Sequence, residues 1–560
     1  VTDPQQWKRP DAKRRRFVPK TPRLDRTIET ASTRFKVKRK PSADFLLRDD
    51  VLPIVREWID NLPASPKNDY LRSLVWSKFV SSDTDPAPLR EERALQKWLN
   101  AEAVNAETND RLISTPPDAV LLPTVRFSRF VEWVRNFISS IIGDTVPVDV
   151  LYGSFSGGAS TSRNRLNSHP ANKFVGEAHG THDALNIFND SMDLRPLWGD
   201  LTTDSTVGED SDFYCTVVDS AEMFFVPKNA LIDRVACKEP DINMYLQKGV
   251  GRYFYSRLKR VGIDLHNQGI NRSLAQHGSY DGSLVTLDLS SASDSVTRNL
   301  VDILLPDCWY DYLNSIRSKA IKLPDGTIHK CEMFSTMGNG FTFELESLLF
   351  YALSRGVSYF TRTKGIVSVY GDDIICPSAC ATEVQHVLFY FGFTPNYEKS
   401  FVEGPIRESC GGHYHNGVDI TPFFIRSPIV RLSDLIHLLN EIRRWAARGE
   451  SLFLDEECWD IWSLLVTLVP SEFLGGDVVS SGKFQVISPH RPKSRLYEVT
   501  VDLPVPELGR YLSDQDSRAT ILHPMEDQKP RRSTSYFEIR RARYWTWHCC
   551  GLNFLAEAQQ

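Results

Sequence analysis

The 560-residue chain contains no uncharged apolar run of about 18 residues, the length a membrane-spanning helix needs. Its most apolar helical stretch, Phe341 to Leu353, carries Glu344 and Glu346, so no transmembrane span is expected. The N-terminus opens with Pro4, Gln5 and Lys8 and then arginines. No apolar core follows them, so a signal peptide is not expected and a cytoplasmic location is. The ten cysteines show no paired spacing. Cys376 and Cys380 lie four apart without a matching pair, and adjacent Cys549 and Cys550 beside His548 suit one zinc ion poorly, so structural zinc is not expected either. Internal repeats and low-complexity blocks are missing. The polar stretch Ser156-Gly157-Gly158-Ala159-Ser160, with Arg163 beyond it, lacks the Lys-Ser/Thr ending of a P-loop. It reads as a template-side loop or a plain surface loop.

The composition that remains, 41% apolar and 24% charged, is that of a folded soluble protein. A chain this long exceeds one ordinary core, and roughly two to four subdomains are expected. The net charge of -5 is unevenly spread. Residues 1 to 40 hold fourteen Lys and Arg against four acidic residues, which leaves the rest of the chain at -15. Such an arm can hold phosphate backbone, or can fold onto its own acidic body as a solubilising tail.

Helical spacing of apolar residues marks Tyr70 to Val80, Glu91 to Ala101 and Phe130 to Ile141, with the proline-bearing stretch Ser81 to Pro88 between the first two. Phe213 to Val218 and Met223 to Val226 read as strands, Pro240 to Val261 as a helix. Residues 284 to 300 give a strand, a serine-rich turn and a helix start, and residues 341 to 355 a strong helix. Another helix is expected over Glu383 to Tyr390. From 430 to 470 a stripe of Leu432, Leu435, Leu438, Leu439 and Ile442 predicts helix again.

Tyr370-Gly371-Asp372-Asp373 sets two adjacent carboxylates on a tight turn between the apolar runs Ile366 to Tyr370 and Ile374 to Cys376. Asp288 ends a separate apolar run, Leu284 to Leu287. Carboxylates converging from two strands are what two-magnesium phosphoryl transfer requires, with the ions about 3.5 to 4 Å apart. Asp288 and Asp372 are the expected bridging ligands and Asp373 a supporting one, while Gly371 permits the sharp turn. A lone Gly-Asp-Asp also fits a surface hairpin. The apolar flanks and the separate strand of Asp288 favour the metal site, and with it a template-copying nucleic acid polymerase.

Asp294 follows Asp288 by six residues and stays near the same cleft, where a ribose hydroxyl is its natural partner. Capping the next helix is the alternative, for which Ser290, Ser291 and Ser293 compete. Ser335-Thr336-Met337-Gly338-Asn339-Gly340 is a polar, glycine-spaced loop before a helix, whose glycines let backbone approach a nucleotide or template. An Asp294-Asn339 pair reading the 2′ hydroxyl favours RNA precursors. Lys228, Arg234 and Lys238 lie on a basic segment suited to a triphosphate, and Lys399 to a general acid toward pyrophosphate. Surface lysines and arginines are the plainer reading of each. Tyr544, Trp545 and Trp547 among arginines suit base stacking, or packing on a neighbouring helix.

Taken in order, these segments resemble a known family. Val226-Pro227-Lys228-Asn229 with Arg234 resembles its fingers triphosphate motif. Gly262 to Leu265, then Asn267-Gln268-Gly269 and Asn271-Arg272, resemble the segment before its first palm strand. Thr286 to Ser295 resembles its first palm motif, Phe334 to Ser347 its second, and Tyr370 to Asp373 its catalytic hairpin. Lys399 and Phe401 to Gly412, with Arg407 to Gly411, resemble its closing palm motifs. The family is the catalytic (beta) subunit of the replicase of small positive-strand RNA bacteriophages, an RNA-directed RNA polymerase. The similarity is dense from about Glu222 to Ser427 and thins toward both ends.

The resemblance implies an α/β (α+β) right-hand fold with fingers, palm and thumb and an antiparallel-sheet palm. It implies Mg2+ as cofactor, with Mn2+ as a substitute, and primer-independent copying of single-stranded phage RNA in the cytoplasm of a bacterial host. Template and product RNA, ribonucleoside triphosphates, host elongation factors Tu and Ts and ribosomal protein S1 are the implied partners. The expected division is a basic arm over 1–40, fingers and a helical region over 41–283, palm over 284–427, and thumb with the C-terminal region over 428–560. A reverse transcriptase, usually with a bulky aromatic residue at the sugar, fits the small serines beside Asp294 poorly. A non-catalytic RNA-binding or assembly protein leaves the aspartates unexplained, and a two-metal nuclease leaves Lys228 and Arg234 unexplained.

Overall fold

The computed structural model describes residues 50–80, 85–173, 176–191, 214–446 and 456–469, residue 47, and the backbone of strands 35–39, 474–475, 486–487 and 497–501. The basic clusters from Lys8 to Arg16 and the segment Arg540 to Trp547 lie outside the described residues. Within the arm, Phe35–Arg39 pairs antiparallel with Tyr497–Val501.

At the centre lies a three-stranded antiparallel sheet, Leu284–Leu287 beside Asp373–Pro377 beside Ser368–Tyr370. All four residues of Leu284–Leu287 are buried, as a strand covered on both faces must be. Covering it is the helix Thr342–Phe360, buried around most of its circumference. The amphipathic helix Phe127–Ile142 packs against that helix. Phe127, Phe130, Val134, Ile138 and Ile141 recur every three or four residues and are buried, and the helix stops at Gly143, whose φ of 86° continues no right-handed helix. Phe350, Phe391, Phe393 and Trp309 join one large core here.

Two smaller cores flank it. In one, the 28-residue helix Ala87–Ser114 buries Ala94 and Trp98 against a four-stranded sheet that contains Ala221–Pro227 and Asp233–Lys238. In the other, Val55, Ile59 and Leu71 pack with Leu435, Leu439, Ile442 and Trp462. Residues 51–75 thus share a core with residues 423–469, two regions that sequence order alone had separated. The mixed helix-and-sheet architecture with an antiparallel central sheet agrees with the expected fold class. No helix among the described residues is long and apolar enough to cross a membrane.

Several expected elements moved. The helix expected over Tyr70 to Val80 is Pro66–Leu74, started by Pro66 and by the Ser65 hydroxyl, which accepts from the Asn68 amide at 3.1 Å. Beyond it the chain turns, and the Val80 amide reaches the Arg426 carbonyl at 2.8 Å instead of continuing the helix. The helix expected over Glu91 to Ala101 runs on to Ser114. Capping of the helix Arg298–Leu304 falls to Thr297, which accepts from the Leu300 amide, and to none of Ser290, Ser291, Ser293 or Asp294.

Candidate active site

The sheet register brings the aspartates together. Leu287 pairs with Ile374, so one residue further Asp288 emerges beside Asp373 at the same end of the sheet. Tyr370 pairs with Asp373 across a two-residue turn of Gly371 and Asp372. Gly371 has φ 61°, as the first central residue of a hairpin turn often requires. A Cβ there would sit 2.5 Å from Phe343, so the position is closed to side chains on two grounds. The Gly371 amide donates to the buried Ser347 hydroxyl at 3.0 Å, fixing the turn onto the central helix.

Each carboxylate has its own support. Asp288 accepts from Asn396 Nδ2 at 2.6 Å, while its amide donates to Ser400 Oγ at 3.1 Å and its carbonyl accepts from the Asn396 amide at 2.9 Å. Asp373 accepts from the Cys410 amide at 3.2 Å. Cys410 itself sits at φ 51°, a conformation that costs a non-glycine residue energy and aims this amide at the aspartate. The Asp373 carboxyl is pushed up to about 6 by burial first and then by the charges of Asp372 and Asp288. Asp372 is also raised, by burial and by Asp288, while Lys399 and Arg234 oppose the shift.

Two further carboxylates join the cluster without having been assigned a role from sequence. Glu408 is pushed up to about 7 by burial and by Asp373 and Asp288. Glu346, only 3% exposed, is pushed up to about 8 by burial, against the hydrogen bond from Ser293, with Asp372 and Asp294 adding to the rise. In the sequence Glu346 registered as a charge that spoils a membrane span and as one residue of the second palm motif, with no role of its own. A buried acid on the inner face of the central helix was the missed signal.

Facing this acidic group is a set of cations. Lys228 is shifted down by burial and then by Arg234, Lys97 and Lys399, while Asp288 pulls the other way. Lys97 comes from the long helix Ala87–Ser114 and also bears on Asp294. No motif surrounds it in the sequence, and only the packing of that helix on the sheet reveals it. Lys238 is tied instead to Glu222, its cross-strand partner, at 3.5 Å. That ion pair lies within the hairpin and is half-exposed.

Asn339 is buried, and Asp294 is half-buried with its Oδ1 shielded from solvent. Asp294 Oδ1 and Asn339 Nδ2 each lack a hydrogen-bond partner, while Asn339 Oδ1 accepts from the Phe341 amide at 3.0 Å. Burial pushes the Asp294 carboxyl up to about 6 against the opposing charge of Lys97. The neighbouring glycines do other work than expected. A Cβ at Gly338 would lie 2.0 Å from the Cys237 carbonyl, so that glycine lets backbone pack on backbone, and one at Gly340 would crowd the side chains of Gln247 and Lys248. The Ser156 to Ser160 loop exposes Gly157 and Gly158 and buries Ser160. Its carbonyls at Ser156 and Gly158 accept from the buried Lys173 ammonium at 2.8 and 2.6 Å.

A family model described as RNA replicase, beta-chain, matches residues 45–501. The chain belongs to that family. It is 41% identical over 403 residues to the RNA-directed RNA polymerase beta chain of Escherichia phage MS2, covering 72% of this chain and 70% of that one. It is 43% identical over 427 residues to the beta chain of Enterobacteria phage fr, covering 75% of each. With the RNA-directed RNA polymerase subunit beta of Escherichia virus Qbeta it shares 37% over 493 residues, covering 85% and 80%. Among solved structures it is similar to the RNA-dependent RNA polymerase of a human picorbirnavirus, at 14% identity over 76% of this chain and 92% of that one, with a TM-score of 0.33. This replicase chain is an RNA-directed RNA polymerase. Membership of the family decides against the reverse transcriptase and the non-catalytic RNA-binding protein.

As placed, no three His, Cys, Asp or Glu side chains among the described residues close around one point as metal ligands. The donor set nonetheless suits a divalent cation. Asp288, Asp372 and Asp373 offer only oxygen donors, and the two hairpin aspartates are driven toward protonation by burial and by their neighbours' charge, which a cation would relieve.

Proposed function

We propose that this polymerase copies single-stranded phage RNA by primer-independent, two-metal nucleotidyl transfer, with Asp288 and Asp372 as the principal metal ligands. The observation that carries the reading is the register of the central sheet, which delivers carboxylates from two separate strands to one end, opposite Lys228 and Arg234. Magnesium ions, or manganese in their place, would supply Lewis-acid activation of the 3′ hydroxyl and of the leaving group when bound.

The chain's own residues do the rest. Asn396 orients the Asp288 carboxylate, and Asp373 supports the pair from the Cys410 side. Lys228 and Arg234 grip the triphosphate, and Lys97 adds charge from the long helix. Lys399, near enough to Asp372 and Glu408 to influence both, is the proton donor toward pyrophosphate. A ribose 2′ hydroxyl both donates and accepts. Asp294 Oδ1 offers it an acceptor and Asn339 Nδ2 a donor, and both atoms are buried without partners. A deoxyribose would leave them unsatisfied, which penalises DNA precursors. Base choice comes from pairing with the template.

In this reading residues 284–427 are palm, 41–283 mainly fingers with an N-terminal helical region, 428–560 thumb with the C-terminal region, and 1–40 a basic arm on RNA. Family resemblance supports host elongation factors Tu and Ts and ribosomal protein S1 as partners, in the cytoplasm of the infected bacterium. The test is Asp372→Asn in the full complex. RNA synthesis from ribonucleoside triphosphates should vanish while RNA binding persists, and undiminished synthesis would reject the assignment.

A further inference from the structure

Two consecutive residues of the central helix reach two different loops of the site. Ser293 Oγ, on the turn that carries Asp294, donates to Glu346 Oε2 at 2.6 Å. The next helical residue, Ser347, accepts from the Gly371 amide at 3.0 Å and donates to the Phe343 carbonyl at 2.7 Å. Gly371 immediately precedes Asp372. Glu346 also lies directly under that turn, its Oε1 3.2 Å from where a Gly371 Cβ would stand. Glu346 and Ser347 are both almost fully buried, so the helix side of each bond is shielded from water.

The turn bearing Asp294 needs such support. Ser291 within it has φ 53°, outside the ordinary regions for a non-glycine residue. From the other side Asn105 Nδ2 donates to the Asp294 carbonyl at 2.7 Å, and the Ser295 hydroxyl donates to the Ser291 carbonyl at 3.0 Å. Those bonds hold the backbone of the turn but do not connect it to the catalytic hairpin. The Ser293–Glu346 bond does.

We propose that Glu346 and Ser293 form a strut that sets the position of the sugar-reading Asp294 relative to Asp372, and so act as positioning residues for ribose selection. The inference rests on the reading of Asp294 and Asn339 as the 2′-hydroxyl pocket. Neither Glu346 nor Ser293 touches the nucleotide in this account. The acceptor on Glu346 faces Ser293, and its effect passes through the turn.

The test is single-nucleotide incorporation by the full chain in its natural complex on an RNA template, with kcat and KM measured for a ribonucleotide and its deoxy counterpart. Ser293→Ala and Glu346→Ala should each lower the ribo-to-deoxy ratio of kcat/KM by about tenfold, and the double variant should lose no more than either single one. Glu346→Gln, whose amide oxygen still accepts from Ser293, should stay within about threefold of the parent ratio. A ratio unchanged in Ser293→Ala, while Asp294→Ala collapses it, overturns the strut alone. A ratio unchanged in both overturns the strut together with the sugar pocket. Additive losses in the double variant, or a Glu346→Gln as defective as Glu346→Ala, also reject it. Ser293→Ala removes one oxygen from a partly exposed residue, so the test stands even if Glu346→Ala folds poorly.

Discussion

The two walls of the active site are built differently. The acidic wall is made of neighbours. Asp372 and Asp373 are adjacent, Asp288 is one residue beyond a strand paired with theirs, and all three rest on the largest core. The cationic wall is assembled from distant segments. Lys97 comes from a long helix, Lys228 and Arg234 from a hairpin packed on it, and Lys399 from a turn after the sheet. The first wall is rigid and legible as a motif. The second depends on how a smaller core seats the helix on the hairpin. Catalytic power should therefore be concentrated in the first wall and substrate affinity distributed over the second.

The comparison breaks most visibly at the aspartates. Asp288→Asn and Asp372→Asn should each lower nucleotide incorporation about a thousandfold or more with little change in KM, measured at saturating template. If either variant instead raised KM with kcat preserved, the walls would have exchanged roles. On the cationic side, Lys228→Ala and Arg234→Ala should each raise KM for ribonucleoside triphosphates about tenfold to a hundredfold. Lys238→Ala should change it by less than about threefold, since the Lys238 ammonium is engaged with Glu222 at a half-exposed site. A Lys238 variant as defective as Lys228→Ala would restore the triphosphate role that the sequence had suggested.

How much of this was legible in the sequence follows the same division. The hairpin, the strand ending at Asp288 and the central helix could be read because burial, turn geometry and periodicity all act over a few residues. Lys97 could not, because its neighbours Gln96 and Trp98 say nothing of the sheet that the helix will cover. Glu346 was hidden by its own setting, a charge in an apolar helix whose inner face proved to be the floor of the site. The glycines at 338 and 340 were read as openings for a nucleotide. They are close approaches to the Cys237 carbonyl and to Gln247, contacts more than ninety residues away that no local pattern contains.

Smaller effects sharpen the picture of the acidic wall. Gly371→Ala places a Cβ against Phe343 at a positive φ, and should cost about 1 to 3 kcal/mol of stability in thermal or denaturant unfolding together with most of the activity. An alanine tolerated there would show that the turn is not held as the structure has it. His413, on the strand after the Cys410 turn, is held down to about 4 by burial and then by Lys78, with Lys399 adding to the effect, Asp419 opposing it and the Tyr70 hydroxyl 2.8 Å from its Nδ1. Because the folded value lies below the unfolded one, the unfolded chain binds the extra proton between about pH 6.5 and 4. Stability contributed by neutral His413 is thus full above about pH 6.5 and is lost as the pH falls toward 4, by about 1 to 3 kcal/mol. His413→Gln should flatten that part of the pH–stability curve, and an unchanged slope would assign the acid sensitivity to other groups.

The central claim is that carboxylates from two strands hold divalent ions where RNA and nucleotide meet. Its most direct test is electron paramagnetic resonance of bound Mn2+ in the complex with RNA and a non-hydrolysable ribonucleotide, for the parent chain, Asp288→Asn and Asp372→Asn. The account predicts that each substitution removes or greatly weakens the bound-manganese signal while RNA stays bound. Undiminished manganese binding in both variants would contradict it.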